Sequence, residues 1–389
     1  MTETAPNPIR TLHTDVEERP FIVIWEVTRA CELVCAHCRA DAQHHRDPLE
    51  LTTADGFRLL DDLAAYGPPR PMVVLTGGDP FERPDLEELV EYGTSIGLHV
   101  SLSPSVTPLL TPDRLARVRA AGASAVSLSL DGAESATHDG FRGVDGVFDR
   151  TLEAASEVRD AGLRLQINTT VTADNVGELP RILDIVTGMD AGLWSVFFLV
   201  PTGRGEQLAS LDATDTEEVL HWLHEVGDRV AIKATEAPQF RRIAIQRTNS
   251  DDPDRDFPPG PLRLRLRADT TPVDEVALAR SRARRPPLDV NAGRGFAFVD
   301  HRGGVYPSGF MPLPAGSVRS ASFPDIYRDA ELLRSLRDPD RLGGRCGRCE
   351  FRSVCGGSRS RAYAVTGDPL AEDPGCNYQP QGSAVSQGS

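Results

Sequence analysis

The sequence is poor in lysine and in long apolar runs, and both shortages limit what the protein can be. Lys233 is the only lysine among 389 residues, and arginine carries nearly all of the positive charge. The formal net charge is −15, with acidic residues spread along the whole chain. Because nucleic-acid binders need a basic stripe or patch, this charge balance argues against a nucleic-acid partner.

The longest apolar run is far too short to cross a bilayer, since a spanning helix needs about 20 consecutive apolar residues. Residues 1–20 are polar, charged and proline-bearing, without the hydrophobic core of a secretion signal. We therefore expect a cytoplasmic protein with no membrane partner.

Seven cysteines are present, and they form two groups. An odd number argues against a complete disulfide framework, and a reducing compartment keeps thiols free. The first group is CxxxCxxC and consists of Cys31, Cys35 and Cys38. The second begins with CxxC and consists of Cys346, Cys349, Cys355 and Cys376. Three ligands leave one position of a metal centre open, whereas four ligands usually close it.

Between the two groups, short apolar runs alternate with segments of helical pattern. Strands are predicted at residues 21–28, 72–78, 99–105, 125–131, 163–171 and 193–200. Helices are predicted at residues 52–66, 85–96, 112–121, 148–161 and 175–187. This alternation predicts a parallel sheet with right-handed crossovers, either an open doubly wound sheet or a full or partial barrel. In such folds functional residues gather where the strands end.

The rest of the chain divides by composition. Residues 246–290 are rich in Pro, Asp and Arg with little periodicity, which is typical of a linker or surface insertion whose arginines are solvated. From residue 291 the sequence GFAFVDHRGGVYPSGF predicts a β-hairpin that turns at Arg302-Gly303-Gly304. Residues 381–389 are predicted to be a disordered tail.

Taken together, the motifs resemble the radical S-adenosylmethionine (SAM) enzymes. CxxxCxxC follows the first predicted strand, GGDP follows the second and SLD ends the fourth. The pattern CxxC(x5)C(x20)C after an aromatic hairpin resembles the SPASM or twitch extension of that family. Phrases such as VYPSGF and LWSVFFLVPTGRG are most similar to the branch that acts on tetrapyrroles, in the haem d1 and alternative haem pathways.

The resemblance implies a partial (β/α)6 TIM-type barrel at residues 21–245 and a small iron–sulfur domain at residues 291–380, after an N-terminal segment at residues 1–20. It implies two [4Fe–4S] clusters. The three N-terminal thiolates would hold one cluster and leave an iron open to SAM, and the four C-terminal ones would hold an auxiliary cluster. Electron transfer to SAM then yields a 5′-deoxyadenosyl radical, so no side chain is assigned as the catalyst.

SAM contacts are also implied, at Gly77, Gly78, Asp79, Ser129, Arg142 and Asn168. The glycines would let the backbone approach the ligand closely, and Asp79 would accept a hydrogen bond from the ammonium group. Arg142 suits a carboxylate, because that group is best held by a bidentate cation. For Ser129 and Asn168 the alternative is helix capping, which these residue types do often.

A tetrapyrrole substrate requires cations and apolar walls, and a flavodoxin or ferredoxin would deliver the electrons. Candidate cations are Arg204, Arg241, Arg242 and Arg294, each of which could equally form a structural ion pair. His301 and Tyr306 could approach an iron or a carboxylate, or could belong to a polar hairpin face.

Three alternatives stay open. The second cysteine group could hold zinc, which four cysteines commonly bind. The substrate could be a peptide, although the winged-helix domain that usually recognises it does not fit within residues 1–20. The protein could also be a non-catalytic iron–sulfur or zinc module, but a scaffold gains nothing from an open iron.

Overall fold

The computed structural model describes residues 8–10, 12, 14–273 and 285–381. The predicted tail beyond residue 381 and part of the predicted N-terminal segment and linker lie outside the described residues.

Seven parallel strands form the central sheet and pair in chain order. They are Ile22–Thr28 (β1), Met72–Gly77 (β2), His99–Leu102 (β3), Ala125–Ser129 (β4), Arg164–Val171 (β5), Leu193–Phe198 (β6) and Ile232–Thr235 (β7). The first six confirm the predicted strands to within a few residues. β7 was not predicted, because it is four residues long and contains the lysine.

Helices follow the strands and cover the outer face of the sheet. In the core they are Thr53–Ala64 (α1), Leu86–Ser95 (α2), Pro112–Ala120 (α3), Ser135–Arg142 (α4), Val147–Asp160 (α5), Leu179–Gly188 (α6), Ala213–Glu225 (α7) and Gln239–Thr248 (α8). Local sequence explains their ends: Thr52 and Asp55 form a capping box on α1, and Thr111 caps α3 just before its proline. The sheet and its helices have the architecture of a partial (β/α) barrel, as predicted.

The packing of two tryptophans shows which face of the sheet is covered by helices and which is the inner face. Trp194 of β6 meets Trp222 of α7 edge-on, with ring centroids 6.3 Å apart, so this side of β6 faces the helices. Ser195 and Phe197 alternate with Trp194 and therefore face the inner side. Both sides are covered, which explains why the strands are mostly apolar.

Residues 246–290 contain more regular structure than their composition predicts. The short helix Pro253–Asp256 (α9) and the helix Pro261–Asp269 (α10) lie there. The interpretation of the arginines as a solvated face is wrong for Arg263, which is fully buried. Arg267 forms an ion pair with Glu225 of α7 at 2.6 Å, so α10 packs on the core.

The C-terminal region begins with the strands Asn291–Ala292 (β8), Gly295–Val299 (β9), Gly304–Tyr306 (β10) and Gly316–Ser317 (β11). The helices Phe323–Asp329 (α11), Glu331–Arg337 (α12), Gly344–Arg348 (α13) and Arg359–Thr366 (α14) follow. The predicted hairpin is confirmed: β9 and β10 are antiparallel, and Gly303 takes the φ of +90° that the turn requires. β9 also pairs in parallel with β1, which extends the central sheet into the C-terminal region.

Within the residues described, none of the helices combines the length and the apolar character needed to span a membrane.

Candidate active site

The loop after β1 carries the first cysteine group to the carboxyl ends of the strands. Cys31, Cys35 and Cys38 line a cavity of about 190 Å³. The loop is tied down by backbone bonds, including Cys31 N–H to the Gln43 carbonyl at 2.8 Å and Ala36 N–H to the Phe141 carbonyl at 2.9 Å. Five of the six predicted SAM contacts line the same cavity, namely Gly77, Gly78, Ser129, Arg142 and Asn168.

The thiol of Cys31 is buried in a polar setting. Its sulfur lies 3.4 Å from the Ser105 hydroxyl, which donates to the Gly78 carbonyl at 2.7 Å. Burial raises the pKa of Cys31 to about 11. A thiol in this setting holds its proton until a metal centre replaces it.

Gly77 and Gly78 have a packing role besides their place on the cavity wall. A Cβ on Gly77 would lie 2.4 Å from the Thr28 carbonyl oxygen, and one on Gly78 would lie 2.3 Å from that of Ala30. Any side chain at either position would therefore displace the segment that leads into the cysteine loop.

Asp79 is the predicted SAM contact that does not line the cavity. Its side chain is fully buried and accepts hydrogen bonds from the Phe81 N–H at 3.1 Å and the Thr107 hydroxyl at 2.6 Å. Burial raises the pKa of Asp79 to about 6. Each carboxylate oxygen thus accepts a hydrogen bond within the protein, and Asp79 caps the 3₁₀ turn Pro80–Glu82.

Arg142 ends α4 and lies between a carboxylate and a thiol. It forms a buried ion pair with Asp131, and its Nη1 atom is 3.8 Å from the Cys35 sulfur. Burial alone would lower the pKa of Arg142, but the Asp131 charge raises it. Asp131 also accepts the Thr170 N–H at 2.6 Å, so the guanidinium is held at a fixed place on the cavity wall. The sequence did not identify Asp131 as a site residue, although it lies in the SLD motif.

Ser129 and Asn168 lie opposite each other on β4 and β5. Ser129 is the last residue of β4 and Asn168 lies within β5, and neither caps a helix that the structure describes. The amide oxygen of Asn168 accepts a hydrogen bond from Gln166 at 2.8 Å.

His37 provides a flat surface next to the thiols. Its ring stacks on Phe141 with centroids 4.6 Å apart. Burial, and then the charges of Arg142 and Arg204, lower the pKa of His37 well below its ordinary value. The ring is therefore neutral and fixed in position.

The second cysteine group lines another cavity, together with Arg242 and Tyr378. Burial raises the pKa of Cys355 to about 11 and that of Cys376 to about 12. Cys346 accepts hydrogen bonds from the Asp373 N–H at 3.4 Å and from Arg359 at 3.6 Å. Among the residues of the described ranges, no three His, Cys, Asp or Glu side chains converge on a single metal ion.

Glu236 joins this region to the end of β7. It has a φ of +57°, and its carboxylate accepts hydrogen bonds from Ser358 at 2.6 Å, Ser360 at 3.0 Å and Ser308 at 3.2 Å. Arg361 donates to its backbone carbonyl at 2.6 Å. The four-cysteine cavity is thus fastened directly to the barrel.

Most of the candidate substrate cations are engaged within the protein. Arg242 pairs with Glu217 at 2.5 Å, Arg294 pairs with Asp289 at 2.5 Å, and Arg241 donates to backbone carbonyls. Arg204 differs, because its Nε and Nη2 atoms are buried and have no hydrogen-bond partner in the described part of the chain.

His301 and Tyr306 are likewise engaged. His301 lies 2.9 Å from Glu26, and Tyr306 donates to Asp300 at 3.0 Å. These contacts favour the alternative that both residues belong to a polar face of the hairpin.

Comparison with known proteins agrees with this geometry. Residues 25–186 match the Radical SAM superfamily. The AdoMet-dependent heme synthase of Methanosarcina barkeri is 38% identical over 93% of this chain and 97% of the relative. That of Nitratidesulfovibrio vulgaris is 38% identical over 92% and 93%. A PqqA peptide cyclase of Rhodopseudomonas palustris is 28% identical over 93% and 88%. The fold is similar to that of Streptococcus suis SuiB bound to S-adenosylmethionine, with a TM-score of 0.63 at 14% identity over 93% of this chain and 78% of that one.

Proposed function

This chain belongs to the radical SAM superfamily and is an enzyme, and from that premise we propose that it modifies a carboxylate-bearing tetrapyrrole in haem or haem-like biosynthesis. The observation that carries the proposal is the 38% identity to AdoMet-dependent heme synthases over nearly the whole chain. We further propose oxidative decarboxylation of propionate side chains to vinyl groups as the reaction. A flavodoxin- or ferredoxin-type protein is the proposed electron donor.

The family implies SAM and a [4Fe–4S] cluster as cofactors. We propose that Cys31, Cys35 and Cys38 hold this cluster, because the three thiols share one cavity wall with the candidate SAM contacts. When bound, the cluster and SAM supply a 5′-deoxyadenosyl radical, which abstracts hydrogen from unactivated carbon.

The residues around the thiols suit the task of orienting SAM. Arg142 presents a fixed guanidinium to a carboxylate, and Asp131 positions it through their ion pair. Ser129 and Asn168 offer hydroxyl and amide groups on the neighbouring strands. Gly77 and Gly78 expose backbone on the same wall.

The remaining wall suits a flat, anionic substrate. Phe197 of β6 faces Phe310 of the hairpin region with ring centroids 6.3 Å apart, and both line the cavity. Arg39 stacks on Phe298 at 4.4 Å from the ring centre. Aromatic walls with a few cations are what a tetrapyrrole with peripheral carboxylates requires. Arg204, whose Nε and Nη2 atoms have no hydrogen-bond partner among the described residues, is the cation that we assign to such a carboxylate.

We propose that Cys346, Cys349, Cys355 and Cys376 hold one auxiliary cluster, which accepts the electron that decarboxylation releases. The four thiols line one cavity, and Arg242 and Arg359 lie beside them.

The test is an anaerobic reaction of the reconstituted enzyme with SAM, dithionite and Fe-coproporphyrin III, followed by mass spectrometry. We expect 5′-deoxyadenosine together with a tetrapyrrole that has lost carbon dioxide from its propionates. Formation of 5′-deoxyadenosine with an unchanged tetrapyrrole would contradict the substrate class. It would favour the peptide substrate suggested by the similarity to PqqA peptide cyclase.

A further inference from the structure

The single lysine of the chain lies on the inner face of the barrel. Ser195 faces inward from β6, and its hydroxyl lies 3.0 Å from that of Thr235 on β7. Lys233 precedes Thr235 by two residues in the same strand, so both side chains point to the same side of the sheet.

Lys233 belongs to a row of residues that crosses four strands. The hydrogen-bond register places Lys233 opposite Ser195, Ser195 opposite Asn168, and Asn168 opposite Ser129. Ser129 and Asn168 line the candidate SAM cavity. Neighbouring strands are about 4.8 Å apart, so the backbones of Lys233 and Asn168 are separated by about 10 Å. The long lysine stem can span much of that distance.

The ammonium group has no hydrogen-bond or ion-pair partner in the part of the chain that the structure describes. Across residues 8–10, 12, 14–273 and 285–381, Lys233 forms neither a hydrogen bond nor an ion pair. The charges nearest to it are Arg285, which has the same sign, and Glu236. The Glu236 carboxylate is already bonded to the hydroxyls of Ser308, Ser358 and Ser360.

This isolation is unusual for a chain of net charge −15. Lys233 is half-buried, and a cation that loses part of its hydration without gaining a counter-ion is costly, so proteins normally pair such a group. Burial and then Arg285 lower the pKa of Lys233, which is the effect expected of a cation that lacks an anion. A carboxylate that enters the barrel would supply the missing charge.

We propose that Lys233 is a specificity-determining residue that binds a carboxylate of the substrate inside the barrel, on the β6–β7 side of the SAM site. The inference rests on the proposed function, since it takes the substrate to carry carboxylates. Phe197, which lies opposite Thr235 and two residues after Ser195, provides an apolar surface on the same inner face for the ring that bears the carboxylate.

Because the chain has one lysine, amine-specific acetylation followed by peptide mass spectrometry reports on this residue alone, with the N-terminal amine as an internal control. We expect Fe-coproporphyrin III to reduce acetylation of Lys233 in the reconstituted enzyme at least about fivefold. Its tetramethyl ester, which lacks the negative charges, should not protect, and neither should SAM.

Protection by SAM alone would overturn the inference, because Lys233 would then belong to the SAM site. A Soret-band shift on addition of Fe-coproporphyrin III without protection would overturn this inference while leaving the proposed function intact. Absence of any Soret-band shift would overturn both.

A pair of variants gives an independent test. Lys233→Met should weaken Fe-coproporphyrin III binding about tenfold or more while the Kd for SAM stays within about twofold, and Lys233→Arg should retain most of the affinity. Arg181→Met is the matched control, because Arg181 is an exposed cation on α6. An unchanged Kd for the tetrapyrrole in Lys233→Met, in a variant of wild-type melting temperature, would overturn the inference.

Discussion

Single residues around the first cysteine group give each thiol a different setting. Cys31 lies beside the Ser105 hydroxyl, Cys35 beside the Arg142 guanidinium, and Cys38 accepts the Ala42 N–H at 3.4 Å. Each sulfur thus has a different polar neighbour.

Cys35→Ala tests this arrangement. We expect 5′-deoxyadenosine formation to fall at least about 100-fold, because a cluster with three protein ligands would lose one of them. The four C-terminal cysteines are untouched, so about half of the iron should remain after reconstitution. Iron analysis and an anaerobic SAM cleavage assay measure the two effects, and wild-type levels of cleavage would refute the assignment of the thiols.

The grouping of the thiols could be predicted from the sequence, whereas the buried position of Asp79 could not. Motif spacing predicts Cys31 as a ligand, and the family resemblance implies a role for Arg142. The role of Asp79 depends on the Thr107 hydroxyl, which comes from a loop 28 residues away. A contact between residues so far apart leaves no pattern in the local sequence. The burial of Asp79 is therefore visible only in the structure.

The end of β2 is in direct backbone contact with the segment that leads into the cysteine loop. Gly78→Ala would place a Cβ against the Ala30 carbonyl, and a backbone atom does not move aside as a flexible side chain does. We expect the variant to be less stable by about 1–3 kcal/mol and to hold less iron in the N-terminal site. Thermal melting and iron analysis measure both.

Gly140→Ala is the matched control for that substitution. Gly140 lies in α4, and a Cβ there would meet nothing within 4 Å. Alanine in an exposed helix gains about 0.5–1 kcal/mol over glycine. If Gly78→Ala has the same melting temperature and iron content as Gly140→Ala, the close contact with the Ala30 carbonyl does not limit the residue at position 78.

The hairpin is attached to β1 by a buried pair of ionisable groups. Burial alone would lower the pKa of His301, but Glu26 raises it above its ordinary value of 6.5. Burial alone would raise the pKa of Glu26, but Arg39 and His301 lower it. Both shifts favour the charged pair, which stabilises the docking of the hairpin on β1.

This pair predicts a pH dependence of stability. A histidine with a raised folded-state pKa contributes fully below its unfolded pKa, and the contribution is lost as pH rises through the folded value. We expect the melting temperature to fall as the pH rises above about 6.5, the ordinary pKa of histidine, and His301→Gln to remove most of that slope. Parallel slopes for the two proteins would contradict the role of His301.

Strands and helices with a regular spacing of apolar residues could be predicted from the sequence, whereas those without it could not. The strands β1 to β6 are apolar runs between helices, and the sequence marks them clearly. β7 escaped because Lys233 interrupts a four-residue strand. Helix α10 was not predicted, because its Arg263 and Arg267 form ion pairs with glutamates of α7. Contacts with so distant a segment cannot be read from the local composition.

Across the whole molecule, two cysteine sites are held by one continuous sheet and by the contacts of Glu236. This arrangement suits an electron path from the barrel to the proposed auxiliary cluster. Reconstituted wild-type protein should therefore contain about eight irons per chain. A content near four, with zinc in the second site, would favour the zinc alternative.

Cys355→Ala distinguishes an electron-accepting cluster from a structural one. We expect slow 5′-deoxyadenosine formation to survive, because that reaction needs the N-terminal thiols alone, while conversion of the tetrapyrrole falls by orders of magnitude. The melting temperature must be measured on the same sample, since loss of a structural metal site can unfold the region it holds. Full product turnover in a stably folded variant would contradict the electron-accepting role.

The parallel pairing of β9 with β1 has a consequence for synthesis of the chain. β1 is among the first elements to leave the ribosome, but its partner on one side follows about 270 residues later. Until then, the backbone donors and acceptors along that edge of β1 are open to any other strand. During most of translation this edge of β1 therefore has no native partner. It is paired only when β9, in the last quarter of the polypeptide, has been synthesised.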